Sequence, residues 1–290
     1  PAPSMNPRSI PRVAGSVLSC AWFAFAAGGS APGPAPDLPP TLGFQSGQLF
    51  PADRSLARPE DGVALPDGRL IVADQVHGLR LVGRDGTSKP FGALRAAGYV
   101  NDPPRRAGAA NGVSLEPNGA HLLVADVLAG GIYRVSIHSG ATELVYRHPF
   151  GVNTACRDSS GAIWFTQSAK NTAEQGEAGM FAAVDVPVGS GALWRLPVRD
   201  GRQATKAELV LGDLHYANGL VLDEARGRLY LSELGRDRVL RFRLDVENGR
   251  IDDESTVLAI PTPDNLEMDR HGRLWVAAPG RNEVGVLDTA

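Results

Sequence analysis

The chain has 290 residues and a formal net charge of −3, from 29 basic and 32 acidic side chains. That balance, with no Lys/Arg cluster, argues against a nucleic-acid footprint, and the length suffices to bury a full core without a disulfide or zinc staple. With 34 Gly and 22 Pro the sequence reads as many turns and few long helices, and two cysteines, Cys20 and Cys156, cannot build a disulfide framework.

In chain order, the first element reads as an export signal. Arg8 and Arg12 supply a positive start, and Val13 to Ala27 is an uncharged apolar run, of signal-peptide length and short for a membrane span. Ala24-Phe25-Ala26 offers a small-x-small cleavage site, and Gly28 to Pro40 reads as a flexible linker. Residues 1–40 are therefore assigned to signal and linker, residues 41–290 to one domain, and the mature protein to the periplasm or the exterior, with no stable membrane span. An uncleaved anchor is the competing reading. A lipoprotein signal at Cys20 is weaker, because the apolar run continues past it. Pro1 to Ser4 precede Met5, the one plausible start methionine.

The rest of the chain is one unit repeated: a polar residue, a short apolar segment, a Gly turn, then a strand rich in β-formers. The copies are EDGVALPDGRLIVAD from Glu60, NGVSLEPNGAHLLVAD from Asn111, NTACRDSSGAIWFTQ from Asn153, NGLVLDEARGRLYLSE from Asn218 and DNLEMDRHGRLWVAA from Asp264. Their turn glycines, Gly68, Gly119, Gly161, Gly227 and Gly272, are separated by 51, 42, 66 and 45 residues, close to the period of propeller blades. A further strand follows most copies: Leu79-Val82, Gly131-Val135, Leu193-Leu196, Val239-Leu244 and Val284-Leu287. No amphipathic helix interrupts them, so the fold class is an all-β propeller. The widest interval holds an insertion, roughly Ala169 to Gly191, expected on a face of the propeller. It reads either as cover for a site or as a disordered surface loop.

The polar residue opening each copy keeps phase with its turn glycine. Glu60, Asn111, Asn153 and Asp264 each stand 8 residues before it, and Asn218 stands 9 before. Equivalent positions of successive blades are related by rotation about the central channel, so these five should form a ring facing the axis. Two carboxylates and three amides are hard oxygen ligands, suited to calcium and much less to zinc. Asn265 is a candidate further ligand, and the Gly and Thr neighbours are expected to leave room for a ligand. A lone Asn-Gly is usually a turn signal, but here the turn lies downstream and all five positions agree.

Pro59-Glu60-Asp61 with LPDG, Ala217-Asn218-Gly219-Leu220 with YLSEL, and Pro263-Asp264-Asn265-Leu266 with GRLWVA resemble the paraoxonase/arylesterase family. They are also similar to the wider gluconolactonase/regucalcin and strictosidine-synthase-like superfamily, over roughly Arg58 to Asp288. The resemblance implies a six-bladed propeller with calcium in its channel, held by Glu60, Asn153, Asn218, Asp264 and, as in paraoxonases, Asn265. Asn111 stands where paraoxonases carry a His proposed as base, so a His-based mechanism is not expected. Their second calcium requires Asp at Asp61 and Thr154; Thr154 departs, and no second ion is expected. Their disulfide has no counterpart.

The chemistry expected is hydrolysis of a lactone or ester, with calcium polarising the carbonyl and Asp264, or else Glu60, as base. Asn111 would orient the carbonyl or the attacking water. The partner is then a small-molecule lactone or ester. Two rivals remain: a propeller that binds calcium or a ligand without catalysis, and a strictosidine-synthase-like condensing enzyme. G-x-S-x-G is absent, and Ser190 sits in a loop pattern. His77, His121, His138, His148, His215 and His271 form no zinc spacing, although His215 lies three residues before Asn218. Cys156 reads as a lone buried thiol, and Trp164 and Trp275 as packing residues. Since only five copies occur and the chain stops just beyond Val284-Leu287, the last blade is expected to be incomplete.

Overall fold

The computed structural model describes residues 50–101, 107–186 and 188–289; the expected signal and linker lie outside them. Each repeat becomes one antiparallel sheet, which is the propeller expected. The first blade runs Pro59–Ala64, Leu70–Asp74, Gly78–Val82 and Ser88–Pro90, and the second Ala110–Leu115, His121–Asp126, Gly131–Ser136 and Thr142–Arg147. The third joins Ala155–Arg157, Ile163–Gln167, Gly191–Leu196 and Glu208–Leu214, and the fourth Ala217–Asp223, Arg228–Glu233, Arg238–Asp245 and Arg250–Ala259. A fifth sheet has three strands, Leu266–Met268, Arg273–Ala278 and Glu283–Asp288. Five blades are therefore present among the described residues. All five turn glycines adopt positive φ, from 60° at Gly227 to 88° at Gly161, a region that side chains with a Cβ rarely enter.

The core is a series of slabs between blades, and the strand sequences show why. Side chains alternate across a strand, so a middle strand buried on both faces must be apolar at every position. In HLLVAD, Leu122 and Val124 pack toward the first blade with Ile71, Leu79 and Leu81, while Leu123 and Ala125 pack toward the third with Ile163 and Phe165. Trp164 then faces the fourth blade against Leu220, Leu229 and Leu231, and Tyr230 faces the fifth beside Leu266, Leu274 and Val276. Trp164 is fully buried and donates its indole N–H to Asp158 at 2.8 Å, so its polar edge is satisfied inside the slab.

The innermost strands of neighbouring blades approach backbone to backbone, and this corrects the expectation that small neighbours of the ring make room for a ligand. Gly112 N–H donates to Asn153 O at 2.9 Å, and Gly219 N–H to Asp264 O at 3.3 Å. A Cβ on Gly219 would lie 2.6 Å from both Asp264 O and Leu266 N, closer than a methyl tolerates. Gly219→Ala is expected to cost about 1–3 kcal/mol, read as a lower melting temperature. An unchanged melting temperature would contradict this packing.

Candidate functional site

The five in-phase residues meet at one end of the channel. Glu60, Asn111 and Asn218 each sit at a one-residue break in the ladder. Pro59 opposes Asp74 but Asp61 opposes Ala73; Ala110 opposes Asp126 but Val113 opposes Val124; Ala217 opposes Glu233 but Leu220 opposes Leu231. Such a bulge turns a side chain off the regular pleat. Asn153 and Asp264 precede their inner strands and are held by regular bonds, Asn153 N–H to Thr166 O and Asp264 N–H to Ala277 O, both 2.8 Å.

Contacts link all five blades at this end. Asn265 Nδ2 donates to Glu60 Oε1 at 3.4 Å and to Glu60 O at 3.2 Å, joining the fifth blade to the first. The Asn111 side chain also bonds Glu60, and the Asn218 side chain bonds Asp264. Asn111 Nδ2 donates to Asn153 O at 3.1 Å, while its Oδ1 accepts from Gln75 Nε2 at 2.6 Å. Asn111 is thus braced on both sides. The backbone beneath is tied by two hydroxyls that sequence reasoning passed over: Thr166 Oγ1 donates to Asn218 O at 2.6 Å, and Ser232 Oγ to Asp264 O at 2.5 Å. Their signal was a small hydroxyl residue one position before the end of the second strand.

The carboxyls of the ring are held toward their protonated forms. Burial pushes the Glu60 carboxyl well above the carboxylate range, and Asp264 and Asp61 push it further. Burial also raises Asp264 to about 6, and Asp61 to about 7 despite its bonds to the Val113 and Gly62 N–H groups. Three buried carboxylates elsewhere face arginine: Glu116 bonds Arg134 and Arg157, Glu233 bonds Arg236 and Arg238, and Asp269 bonds Arg273. In the ring, the amide oxygens Asn153 Oδ1 and Asn218 Oδ1 are buried without a hydrogen-bond partner, an arrangement that is costly unless something else binds them. Glu60, Asn153, Asn218 and Asp264 therefore fit a hard divalent cation, which takes oxygens of this kind and supplies the missing charge.

The insertion corrects a second expectation. It is neither featureless nor free of helix: Gly176–Asp185 is an α-helix whose Met180 is buried. Met180, Ala183 and Val184 pack with Ala109, Val127, Leu128, Tyr216 and Leu234, and Glu177 bonds the Arg58 guanidinium at 3.0 Å. Arg58, Ala109 and Tyr216 each stand two residues before a ring residue, so the helix packs against the segments that lead into three of the ring positions. Its run of Ala and Gly hid the apolar stripe, which only three residues supply. Tyr216, with φ of 62°, sits between helix and ring, and burial together with Asp264 and Glu60 raises its phenol. A buried aromatic in the left-handed region is a strained placement, and no sequence signal had singled it out.

The remaining candidates are structural. His148 is buried, with Nε2 on Gln167 Oε1 at 2.9 Å, and burial lowers its pKa. His215 lends its backbone N–H to Glu233. The Ser190 carbonyl accepts from Gln167. Cys156 is half-buried, its thiol directed at Leu220 O and pushed up to about 12, first by burial, which makes it a poor nucleophile. Trp275 donates to Asp269 at 3.0 Å.

Comparison with known proteins bears on the fold. Residues 147–290 match the family model described as SMP-30/Gluconolactonase/LRE-like region. Over that stretch, just under half of the chain, it is similar to the gluconolactonase/regucalcin-like propellers. Among solved structures of this fold, a gluconolactonase from Xanthomonas campestris is 20% identical, with 81% of this chain and 73% of that one covered at a TM-score of 0.59. Regucalcin from Agrobacterium tumefaciens, a calcium-binding protein, is 17% identical, with 81% and 72% covered at 0.55. A structure of a nidogen/laminin complex is 12% identical, with 79% and 75% covered at 0.57, so the fold alone does not decide between catalysis and binding. No curated protein sequence gives a match. Nothing in these likenesses singles out paraoxonases within the superfamily.

Proposed function

We propose that this gluconolactonase/regucalcin-like propeller is a calcium-dependent hydrolase of lactones or esters. One observation carries the reading: from four blades, the buried amide oxygens of Asn153 and Asn218, without a hydrogen-bond partner, converge with the buried carboxyls of Glu60 and Asp264. Glu60, Asn153, Asn218 and Asp264 would hold the ion, with Asn265 beside them. When bound, calcium supplies a Lewis acid for the substrate carbonyl oxygen. Asp264 is the first candidate for the base and Glu60 the second, since a carboxylate can ligate with one oxygen and accept a proton with the other. Asn111, fixed by Gln75 and Asn153, presents a set orientation toward the reacting group. The helix Gly176–Asp185 keeps water from the ring end and sets which lactones reach it. The six-bladed count that the resemblance implies, and export to the periplasm or exterior, belong to the same reading. Among the described residues no helix is long and apolar enough to cross a membrane.

The test is a calcium titration followed by by a panel of aliphatic and aryl lactones, with and without chelator. Saturable calcium binding with turnover that chelation abolishes supports the proposal. Binding without turnover of any substrate would favour a calcium-binding propeller, and turnover surviving chelation would sink the calcium hydrolase.

A further inference from the structure

Three of the five blades share a device at the bulge that aims the ring residue. In the first blade Asp74 ends the second strand, and its Oδ2 accepts the Ala57 N–H at 2.7 Å, across 17 residues of chain. In the second, Asp126 Oδ1 accepts the Ala109 N–H at 2.9 Å, and in the fourth, Glu233 Oε1 accepts the His215 N–H at 2.7 Å. Ala57, Ala109 and His215 stand two or three residues before Glu60, Asn111 and Asn218. Each carboxylate also belongs to the residue opposing the last regular pair before the bulge: Pro59 with Asp74, Ala110 with Asp126, Ala217 with Glu233.

A bland explanation exists for part of this. Asp74 Oδ1 also accepts the Val76 and His77 N–H groups, and Asp126 Oδ1 those of Leu128 and Ala129, as turn-capping side chains do. Turn capping does not account for the bond across the strands, nor for its distribution. The third and fifth blades end their second strands in Gln167 and Ala278, and their inner strands pair without a register break. Gln167 bonds His148, Trp194 and the Ser190 carbonyl instead. Bulge and carboxylate occur together or not at all.

The three carboxylates are 0%, 1% and 0% exposed at Asp74, Asp126 and Glu233, a burial that a solvated turn does not require. A bulge is the softest point of a strand, because its extra residue lacks a ladder partner. An unpinned bulge would let Glu60, Asn111 and Asn218 swing, and a ligand set gains affinity from groups held before the ion arrives. We propose that Asp74, Asp126 and Glu233 are positioning residues that pin the three bulges and so preset the oxygens of the ring. This inference rests on the cation-ring reading of the site.

Asp74→Asn and Asp126→Asn each remove the charge, and in Asp74→Asn the amide can set a donor against the Ala57 N–H. The control is Asp269→Asn, which breaks a buried pair with Arg273 at the other end of an inner strand, about 17 Å from Asp264 at strand rise. Calcium affinity of the full chain is measured by calorimetry at 25 °C, and stability by thermal melting. The expected result is a 10- to 100-fold loss of calcium affinity in Asp74→Asn and Asp126→Asn, with the control binding as wild type although all three melt lower. Wild-type affinity in both variants would overturn the inference while leaving the ring intact. Equal losses in the control and the variants would reduce the clamps to general stability and likewise overturn it. A wild-type protein that binds no calcium would remove the ring reading, and this inference with it. Two blades are sampled so that a variant that does not fold leaves the other to decide.

Discussion

Asp264→Asn is expected to abolish measurable calcium binding and to lower lactone turnover on the order of 1,000-fold, while raising the melting temperature in chelator. The two effects have one cause. Asp264 is enclosed by protein and stands close enough to Glu60 to raise that carboxyl's pKa, so without a cation the pair repels. Neutralising one partner removes the repulsion and so stabilises the cation-free protein. The same change deletes one of the two charges that would balance a divalent ion, and the first candidate for the base. A stabilised but inactive variant is the behaviour of a site whose strain serves function. A variant that melts lower in chelator, or that keeps wild-type calcium affinity, would show that Asp264 has another role. Tyr216→Phe is a useful companion, since it keeps the ring packed beneath the helix and removes only the phenol oxygen.

The second large effect is a stability that depends on pH in opposite ways with and without calcium. Burial raises Asp264 to about 6 and Asp61 and Glu267 to about 7, and Glu60 well above its usual range, against 3.8 and 4.5 for free Asp and Glu. A carboxyl whose pKa is raised on folding contributes stability that is complete below its unfolded value and lost as pH rises through its folded value. Asp126, raised to about 6 by burial, adds to the same trend. His148 opposes it: its lowered pKa favours the fold as pH rises, an effect spent by about pH 6.5, where the unfolded imidazole loses its proton. One imidazole offsets only one of these carboxyls, so the melting temperature of the cation-free protein is expected to fall from about pH 5 to about pH 8. Saturating calcium should flatten that fall, so the stabilisation it confers grows with pH. Melting curves at pH 5, 6.5 and 8, each with chelator and with calcium, measure both trends. A chelated protein that becomes more stable from pH 6.5 to 8 would contradict the site's electrostatics.

Much of this architecture is legible in the chain because a propeller repeats its local rules. The turn glycines fall where φ must be positive, and the apolar runs LIVAD, HLLVAD, IWFTQ and RLYLSE become middle strands buried on both faces. The phase of Glu60, Asn111, Asn153, Asn218 and Asp264 against those glycines is a local count that rotation of the blades converts into a ring. What the count misses are contacts between segments far apart in sequence. Thr166 reaches Asn218 across 52 residues and Ser232 reaches Asp264 across 32, and neither carries a motif. The helix at Gly176–Asp185 escaped notice because its buried stripe is short and set among small residues. Tyr216 escaped because left-handed backbone at a bulky residue is imposed from outside the local sequence.

The sequence by itself determined the blade count among these residues, the turn glycine and following strand of each repeat, and the five polar residues that open the repeats, since all three follow from short-range periodicity. Only the tertiary structure decided that glycines beside the ring admit a neighbouring strand and not a ligand, that the insertion packs against the segments leading into the ring, and that Asp74, Asp126 and Glu233 bond across the bulges. These depend on which backbones are brought within hydrogen-bond distance when the sheets pack face to face. Periodicity within a repeat carries no record of that distance.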